Sequence, residues 1–456
     1  MGEQVSARKD VRPAQMDVPY TGLVDGAPYV HDAPHLLVSG RTGSSKTRSV
    51  LAIQAASWGR RPVVAVSSKG DLAEMTARRR TKLGPCYLMD LAGEVSDAKA
   101  AELGLTRVAS DPVALITDDD SAVELAGLLQ EVGTLGSGDG KGGGDAFWMG
   151  LAEGPLAAIL QASGWYVDPE TGDDVWGGGI RWARRAALNS GVTDEKADED
   201  APVDLQTPSW DAAIARCATI DSIWGDELLA AKDLDPRQRD SIGINMRVAL
   251  KAWASRKVAG RGELAPFTPD LLTDHAAATL YLTSPWTGSA ASAASSTMTS
   301  IVNHWRRGEG TRPTLLMVID ECPSISPLPR LGAWLADLRS YGVRIVAACQ
   351  SSSQFAPRWG QEGLKILRDI FPGILILPGA PEREILEQAA WSMLPEERVT
   401  GSTGADGKTS LSRDRVASFE GSELLPRKKG TALLIVGGMP ERVVDLVDIS
   451  ATTVGS

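Results

Sequence analysis

The stretch from His35 to Thr47 constrains this chain more than any other. Leu36, Leu37 and Val38 read as a buried strand. Gly40-Arg41-Thr42-Gly43-Ser44-Ser45-Lys46-Thr47 then reads as a glycine-containing turn running into a helix. That is the order of parts in a phosphate-binding P-loop. Backbone N–H groups of such a loop converge on phosphate oxygens, and the helix N-terminus adds a favourable dipole. Lys46 is expected to reach the β- and γ-phosphates, and the Thr47 hydroxyl to ligate Mg2+. Ser45 departs from the pattern, because glycine usually stands directly before the lysine. A Cβ there narrows the conformations open to the turn and crowds the phosphate. A plain capped turn is the ordinary alternative for a glycine–serine stretch before a helix.

A second segment supplies the complementary chemistry. Leu315 to Ile319 is a continuous apolar run that ends in Asp320 and Glu321. A run apolar on both faces predicts a central parallel strand. Carboxylates at its C-terminal end fall where open α/β sheets bind ligands. Asp320 is expected to hold Mg2+, directly or through water, and Glu321 to orient and deprotonate the attacking water. A third strand, Arg344 to Cys349, ends in Gln350. A polar residue there can sense the γ-phosphate, or it can simply cap the next helix.

The rest of the chain is punctuated like an α/β protein. Pro62–Leu72 and Cys86–Leu91 read as further strands with polar exits. Residues 1–34 are polar and proline-rich and read as an arm. Residues 35–146 then form the first part of a nucleotide-binding domain. From Gly133 to Gly144 the chain is a flexible glycine run; no buried strand precedes it, so it is not a second phosphate loop. Residues 147–275 have helical spacing throughout and predict an inserted all-α domain, with Asp194–Asp200 as a solvated loop. Trp148, Trp165 and Trp210 read as its packing core. Residues 276–456 resume the nucleotide fold, with strands at Ala278–Thr283, Ile374–Leu377 and Leu433–Val436 and a mobile loop at 401–410.

Composition decides less. With 456 residues, 43% of them hydrophobic, the chain has room for two or three domains. Four cysteines without a Cys-x-x-Cys pair, beside four histidines, argue against a zinc or disulfide framework. A net charge of −11 argues against nonspecific coating of duplex DNA, though not against a locally basic path. Arg78-Arg79-Arg80 and Arg427-Lys428-Lys429 are the local basic clusters, and Lys69 sits at a strand exit on the ligand edge. The N-terminus shows no hydrophobic signal core, and no run reaches the roughly 18–20 apolar residues of a membrane span. A cytoplasmic protein, peripheral at the membrane only through partners, is the expectation.

Taken in order, these segments resemble the type IV secretion coupling proteins, the TraG/TraD-like conjugation ATPases. The resemblance rests on the Gly40–Thr47 loop, Val66–Leu72, Phe147-Trp148 opening a helical insertion, and Asp320-Glu321. It continues through Leu338–Arg344, Gln350–Phe355 and Gly430–Gly438, and covers roughly residues 30–445. It implies a RecA-like P-loop NTPase core with a mainly parallel sheet and an inserted all-α domain. It further implies ATP and Mg2+ as cofactors and a hexameric ring at a membrane secretion channel. The cargo would be single-stranded DNA as a relaxase complex. Family members commonly carry an N-terminal transmembrane hairpin, which this sequence lacks. In such rings a neighbour's arginine often completes the site. Arg339, Arg344, Arg358 and Arg368 are candidates, with Arg339 placed in the catalytic set. An FtsK/HerA-like double-stranded DNA translocase and a nucleotide-binding adaptor with little hydrolysis are the other readings.

Overall fold

The computed structural model describes residues 10–11, 17–134, 143–191, 203–260, 262–286, 289–392, 396–403, 409–416, 420–437 and 439–454. Two short strands, β1 (Leu23–Val24) and β2 (Ala27–Pro28), precede β3 (Leu36–Ser39). All of β3 is buried, as helices on both faces of a parallel sheet require. After the glycine turn one π-type turn, Thr47–Leu51, leads into α1 (Ala52–Ser57). β4 (Val63–Ser67), α2 (Asp71–Arg80), β5 (Cys86–Asp90), α3 (Asp97–Glu102) and β6 (Thr106–Arg107) follow.

A helical body comes next. It comprises α4 (Asp119–Thr134), α5 (Gly143–Ser163), α6 (Gly179–Ala186), α7 (Trp210–Thr219), α8 (Trp224–Lys232), α9 (Pro236–Ala249) and α10 (Arg256–Ala259). α5 is its axle: α4, α6, α7, α8 and α9 all pack on it. The reason is in its sequence. Ala152 and the run Leu156–Leu160 are buried on every face, which suits a helix with no solvent side.

The helical layer starts at Asp119, ahead of position 147, because α4 packs on α5 and α9. Nor is the segment purely helical. A hairpin of β7 (Trp165–Val167) and β8 (Asp174–Trp176) interrupts it, turning at Gly172 with φ +75°. Three-residue strands are too short to show a period. Trp210 is core as expected, whereas Trp165 lies 59% exposed on the hairpin. Residues 135–142 of the glycine run and the charged run Asp194–Asp200 lie outside the described residues.

The sheet resumes with β9 (Thr279–Thr283) and α11 (Ala290–Arg307), whose small residues let it lie buried beside α4. Then come β10 (Leu315–Ile319), α12 (Cys322–Ile325), α13 (Leu331–Asp337), β11 (Val343–Cys349), α14 (Ala356–Ile370), β12 (Gly373–Ile376) and α15 (Arg383–Ser392). The chain closes with β13 (Glu396–Thr403), β14 (Thr409–Val416), β15 (Thr431–Val436) and β16 (Arg442–Asp445). β13 and β14 pair as a separate hairpin, so much of 401–410 is strand and not loop; residues 404–408 are outside the described set.

The main sheet has twelve strands in the order β2-β1-β16-β15-β12-β3-β11-β10-β4-β9-β5-β6. From β12 through β3 to β6 every pairing is parallel, and the β12-β15-β16-β1-β2 side is antiparallel. The described part of the N-terminal arm is therefore built in. Tyr20 is buried, its N–H donates to Gln54 Oε1 at 2.7 Å, and β1 pairs with β16.

Candidate nucleotide-binding site

β3, β11 and β10 lie side by side and parallel, so their C-terminal ends open onto one edge. The turn after β3 is tied to β11 by the Gly40 N–H, which donates to the Cys349 carbonyl at 3.2 Å. Gly40 has no room for a side chain: a Cβ would lie 2.7 Å from Ser44 Oγ and 2.9 Å from Leu377 Cβ. Gly43 has φ +79°, and Ser45 has φ +68°. Ser45 thus holds the left-handed conformation that a glycine adopts freely, at a strain of about 1–2 kcal/mol for an L-residue. Its side chain is exposed. A left-handed residue followed by right-handed Lys46 points consecutive N–H groups into one concavity, which suits an anion.

The side chains of the two motifs meet in that concavity. Lys46, only 6% exposed, donates from Nζ to the Gly40 carbonyl at 2.5 Å and stands 3.5 Å from Glu321 Oε1. Thr47 Oγ1 donates to Asp320 Oδ2 at 3.1 Å. Asp320 Oδ1 and Glu321 Oε2 are buried without a hydrogen-bond partner. Burial, reinforced by the neighbouring Glu321, pushes the Asp320 carboxyl up to about 6, against the opposing pull of Lys46 and Thr47. Glu321 itself is held at φ 47°, another left-handed non-glycine residue. Two crowded carboxylates with orphaned oxygens, beside a threonine hydroxyl, are a donor set for a hard divalent cation. Mg2+ takes one or two protein oxygens and completes its shell with phosphate and water. Residues Thr47 and Asp320 fit that requirement.

Gln350 follows β11 directly and is half-buried, between the ends of β3 and β10. Its N–H, at 2.8 Å, donates to Gln354 Oε1, and Ser351 with Gln354 closes a capping box on the next turn. The Gln350 side chain has no bonding partner among the described residues, so it is free to answer a ligand.

One residue of this site escaped the sequence reading. Glu382, 1% exposed, accepts from Ser39 Oγ at 2.5 Å, Ser352 N–H at 2.6 Å and Ser352 Oγ at 2.5 Å. Ser39 is the last residue of β3, and Ser352 belongs to the turn after Gln350. Arg368 extends these bonds, donating from Nε to Ser352 Oγ at 2.8 Å and pairing with Glu384. A lone glutamate before a helix carries no local signal beyond capping.

Comparison with known proteins agrees with this geometry. Residues 224–370 match the family described as type IV secretory system conjugative DNA transfer, and residues 314–430 match the TraM recognition site of TraD and TraG. No curated protein is matched. Among solved structures, the bacterial conjugative coupling protein TrwBdeltaN70 in its unbound monoclinic form superposes with a TM-score of 0.62 at 18% identity, covering 96% of this chain and 90% of that one. TrwB with the ATP analogue ADPNP gives 0.58 at 17%, over 97% and 94%. TrwB with ADP and Mg2+ gives 0.55 at 18%, over 97% and 94%.

Residues 224–430, less than half of the chain, carry the two matches to models of the type IV secretion coupling family. The fold of the chain is the RecA-like P-loop fold of TrwB, including a large, mostly parallel sheet. Among the described residues, no helix is long and apolar enough to cross a membrane.

The candidate arginines lie in different settings. Arg339 and Arg344 lie at the start of β11, the opposite edge of the sheet from Lys46, so neither enters this chain's own site. Arg344 is buried and spoken for: its Nε donates to the Asp17 carbonyl at 2.7 Å and its Nη1 to the Arg339 carbonyl at 3.1 Å. Arg339 is exposed, Arg358 is half-buried on α14, and Arg368 is engaged with Ser352. Within the first basic cluster, Arg80 is fully buried and donates to Thr279 Oγ1 and to the carbonyls of Gly59, Arg61 and Ala277. It pins α2 to the sheet and has no access to a nucleic acid. Lys69 and the Arg427-Lys428-Lys429 cluster are exposed.

Proposed function

We propose that this chain is an ATP-driven motor that moves single-stranded DNA, or a relaxase–DNA complex, toward a conjugative type IV secretion channel. The observation that carries the proposal is the meeting of Lys46 and Thr47 with Glu321 and Asp320 at one sheet edge, in a chain that matches the conjugative DNA transfer family over residues 224–370. ATP and Mg2+ as ligands are supported by the adenine-nucleotide complexes of TrwB.

In this reading the backbone from Gly40 to Thr47, with Arg41, Thr42, Gly43, Ser44 and Ser45 between, cradles the phosphates. Lys46 gives up the Gly40 carbonyl and Glu321 for the β- and γ-phosphate oxygens. Thr47 and Asp320 hold Mg2+, which when bound neutralises charge developing on the phosphoryl group. Glu321, released from Lys46, orients the attacking water and takes its proton at Oε1. Gln350 senses the γ-phosphate, and the Ser352–Glu382–Ser39 bonds carry that state back to the loop.

Copies of the chain close into a hexameric ring, the outcome of a heterologous interface whose rotation closes. Arg339, exposed and away from its own site, is the candidate to complete a neighbour's. Association with the membrane comes through channel partners.

The test is steady-state ATP hydrolysis by wild type beside Lys46→Ala and Glu321→Gln. Lys46→Ala is expected to lose nucleotide binding, and Glu321→Gln to bind ATP but lose at least a hundredfold in turnover. Undiminished turnover in Glu321→Gln removes the assigned base. ATP binding without turnover in the assembled wild type favours the adaptor reading, which the strained Ser45 motivates.

A further inference from the structure

A large cleft lies away from the P-loop, where β5 and β6 face the helical body. It encloses about 1140 Å³. Its walls come from the exits of β5 and β6, from α6 and from α10. It opens on the same sheet edge as the nucleotide site, five strands along the order β3-β11-β10-β4-β9-β5, or about 24 Å away at 4.8 Å per strand.

The charge in this cleft is one-sided. Arg181, Arg184, Arg185 and Arg256 line it and make no hydrogen bond or ion pair among the described residues. Lys257 lines it too, with its Nζ on the Ala92 carbonyl at 2.9 Å and no carboxylate. The acids of the wall are already committed. Asp90 accepts the N–H groups of Gly93, Glu94 and Val95, and Asp97 holds Arg107 at 2.8 Å. That leaves Glu263 as the uncommitted acid facing five cations, in a chain whose net charge is −11.

Helix electrostatics explains only part of the clustering. Arg184 and Arg185 sit in the last turn of α6, where cations complement the dipole, but Arg181 lies in its first turns, where they do not. The apolar residues of the wall, such as Met89, Leu91 and Val258, are buried, so what the cleft offers a ligand is charge.

We propose that this cleft holds the phosphate backbone of a single-stranded nucleic acid. The proposal rests on the reading of the chain as a DNA motor and names where the strand is held. Unpaired guanidinium groups match phosphate oxygens bidentately. Trp253 in the wall is buried and donates its indole N–H to the Ser110 carbonyl, so base stacking is not offered and binding is indifferent to sequence. An open space of about 1140 Å³ admits a single strand. An acidic protein segment would answer the same charge and is the alternative that the test distinguishes.

The test is fluorescence anisotropy of a labelled oligo(dT) of about 20 nucleotides with the full chain, titrated in salt. The comparison is the triple variant Arg184→Gln, Arg185→Gln, Arg256→Gln; binding of a fluorescent ATP analogue serves as the folding and site control. The variant is expected to bind at least tenfold more weakly at 100 mM salt. Its log–log salt slope should be shallower by about 2, because each phosphate neutralised on a single strand adds about 0.7 to that slope. Nucleotide binding stays unchanged. Equal affinity and slope in variant and wild type overturn the cleft assignment while leaving the motor reading intact. Wild type that binds no oligo(dT) overturns both. Polyglutamate displacing the oligonucleotide at lower charge concentration than unlabelled oligo(dT) overturns the nucleic-acid assignment in favour of an acidic protein.

Discussion

Thr47 Oγ1 and Asp320 Oδ2, 273 positions apart in sequence, are joined by a 3.1 Å hydrogen bond. The bond closes the gap between the turn after β3 and the end of β10, across the intervening β11. It also leaves Asp320 Oδ1 buried and unsatisfied. A cation shared by the threonine and the aspartate removes that penalty, so Asp320→Ala is expected to weaken Mg2+-dependent binding of an ATP analogue by at least tenfold. Binding measured in EDTA should change little. Equal losses with and without Mg2+ would assign Asp320 a structural role instead.

Ser45 gives a prediction about strain. At φ +68° a glycine costs nothing sterically, whereas a β-branched residue is a severe outlier. Ser45→Gly is expected to bind and hydrolyse ATP at least as well as wild type. Ser45→Val should lose tenfold or more in nucleotide affinity, read with a fluorescent ATP analogue. A Ser45→Val protein that binds normally would show that the loop rearranges before it takes nucleotide.

Glu382 ties the end of β3 to the turn after Gln350 through two serines. Glu382→Gln preserves volume but cannot accept all three bonds. Nucleotide affinity should stay within about threefold while turnover falls about tenfold, seen by comparing binding with kcat. Loss of affinity with kcat retained would place Glu382 in ground-state binding.

His35 predicts how acid acts on the fold. It is fully buried before β3, and its Nδ1 accepts the Ile345 N–H at 3.1 Å. Burial, with Arg344 and Arg339 nearby, pushes the imidazole down to about 3 from its ordinary 6.5. The folded state therefore holds His35 neutral where the unfolded chain takes up a proton. Stability is full above about pH 6.5 and declines below it by up to about 1.4 kcal/mol per pH unit, levelling near pH 3. Between pH 6.5 and 5 the loss reaches at most about 2 kcal/mol. His35→Gln should flatten that part of the profile, measured by denaturation at each pH; an unchanged slope would exclude His35 as its source.

What the sequence made legible followed from length and continuity. β3, β4 and β10 are essentially apolar runs buried on both faces, and Lys46, Thr47, Asp320 and Glu321 are fixed by their offsets from β3 and β10. β1, β2, β6 and the β7–β8 hairpin have two or three residues each, too few for any period to show. The bonds of Glu382 and Arg80 depend on residues far away in sequence, and only the assembled sheet brings them together. The basic cleft is assembled in the same way, from α6 and α10 against β5 and β6. Arg339 precedes β11 at the end away from Lys46, a placement that concerns a neighbour's site and not its own.

The central claim is that ATP turnover at Lys46, Glu321 and Asp320 is coupled to DNA. Its most direct test is the rate of ATP hydrolysis by the assembled full chain with no DNA, with single-stranded DNA and with duplex of equal length. The account predicts single-strand stimulation of tenfold or more, abolished in Glu321→Gln, with a smaller response to duplex. Turnover indifferent to DNA would contradict it, and stimulation by duplex alone would transfer the motor to double-stranded cargo.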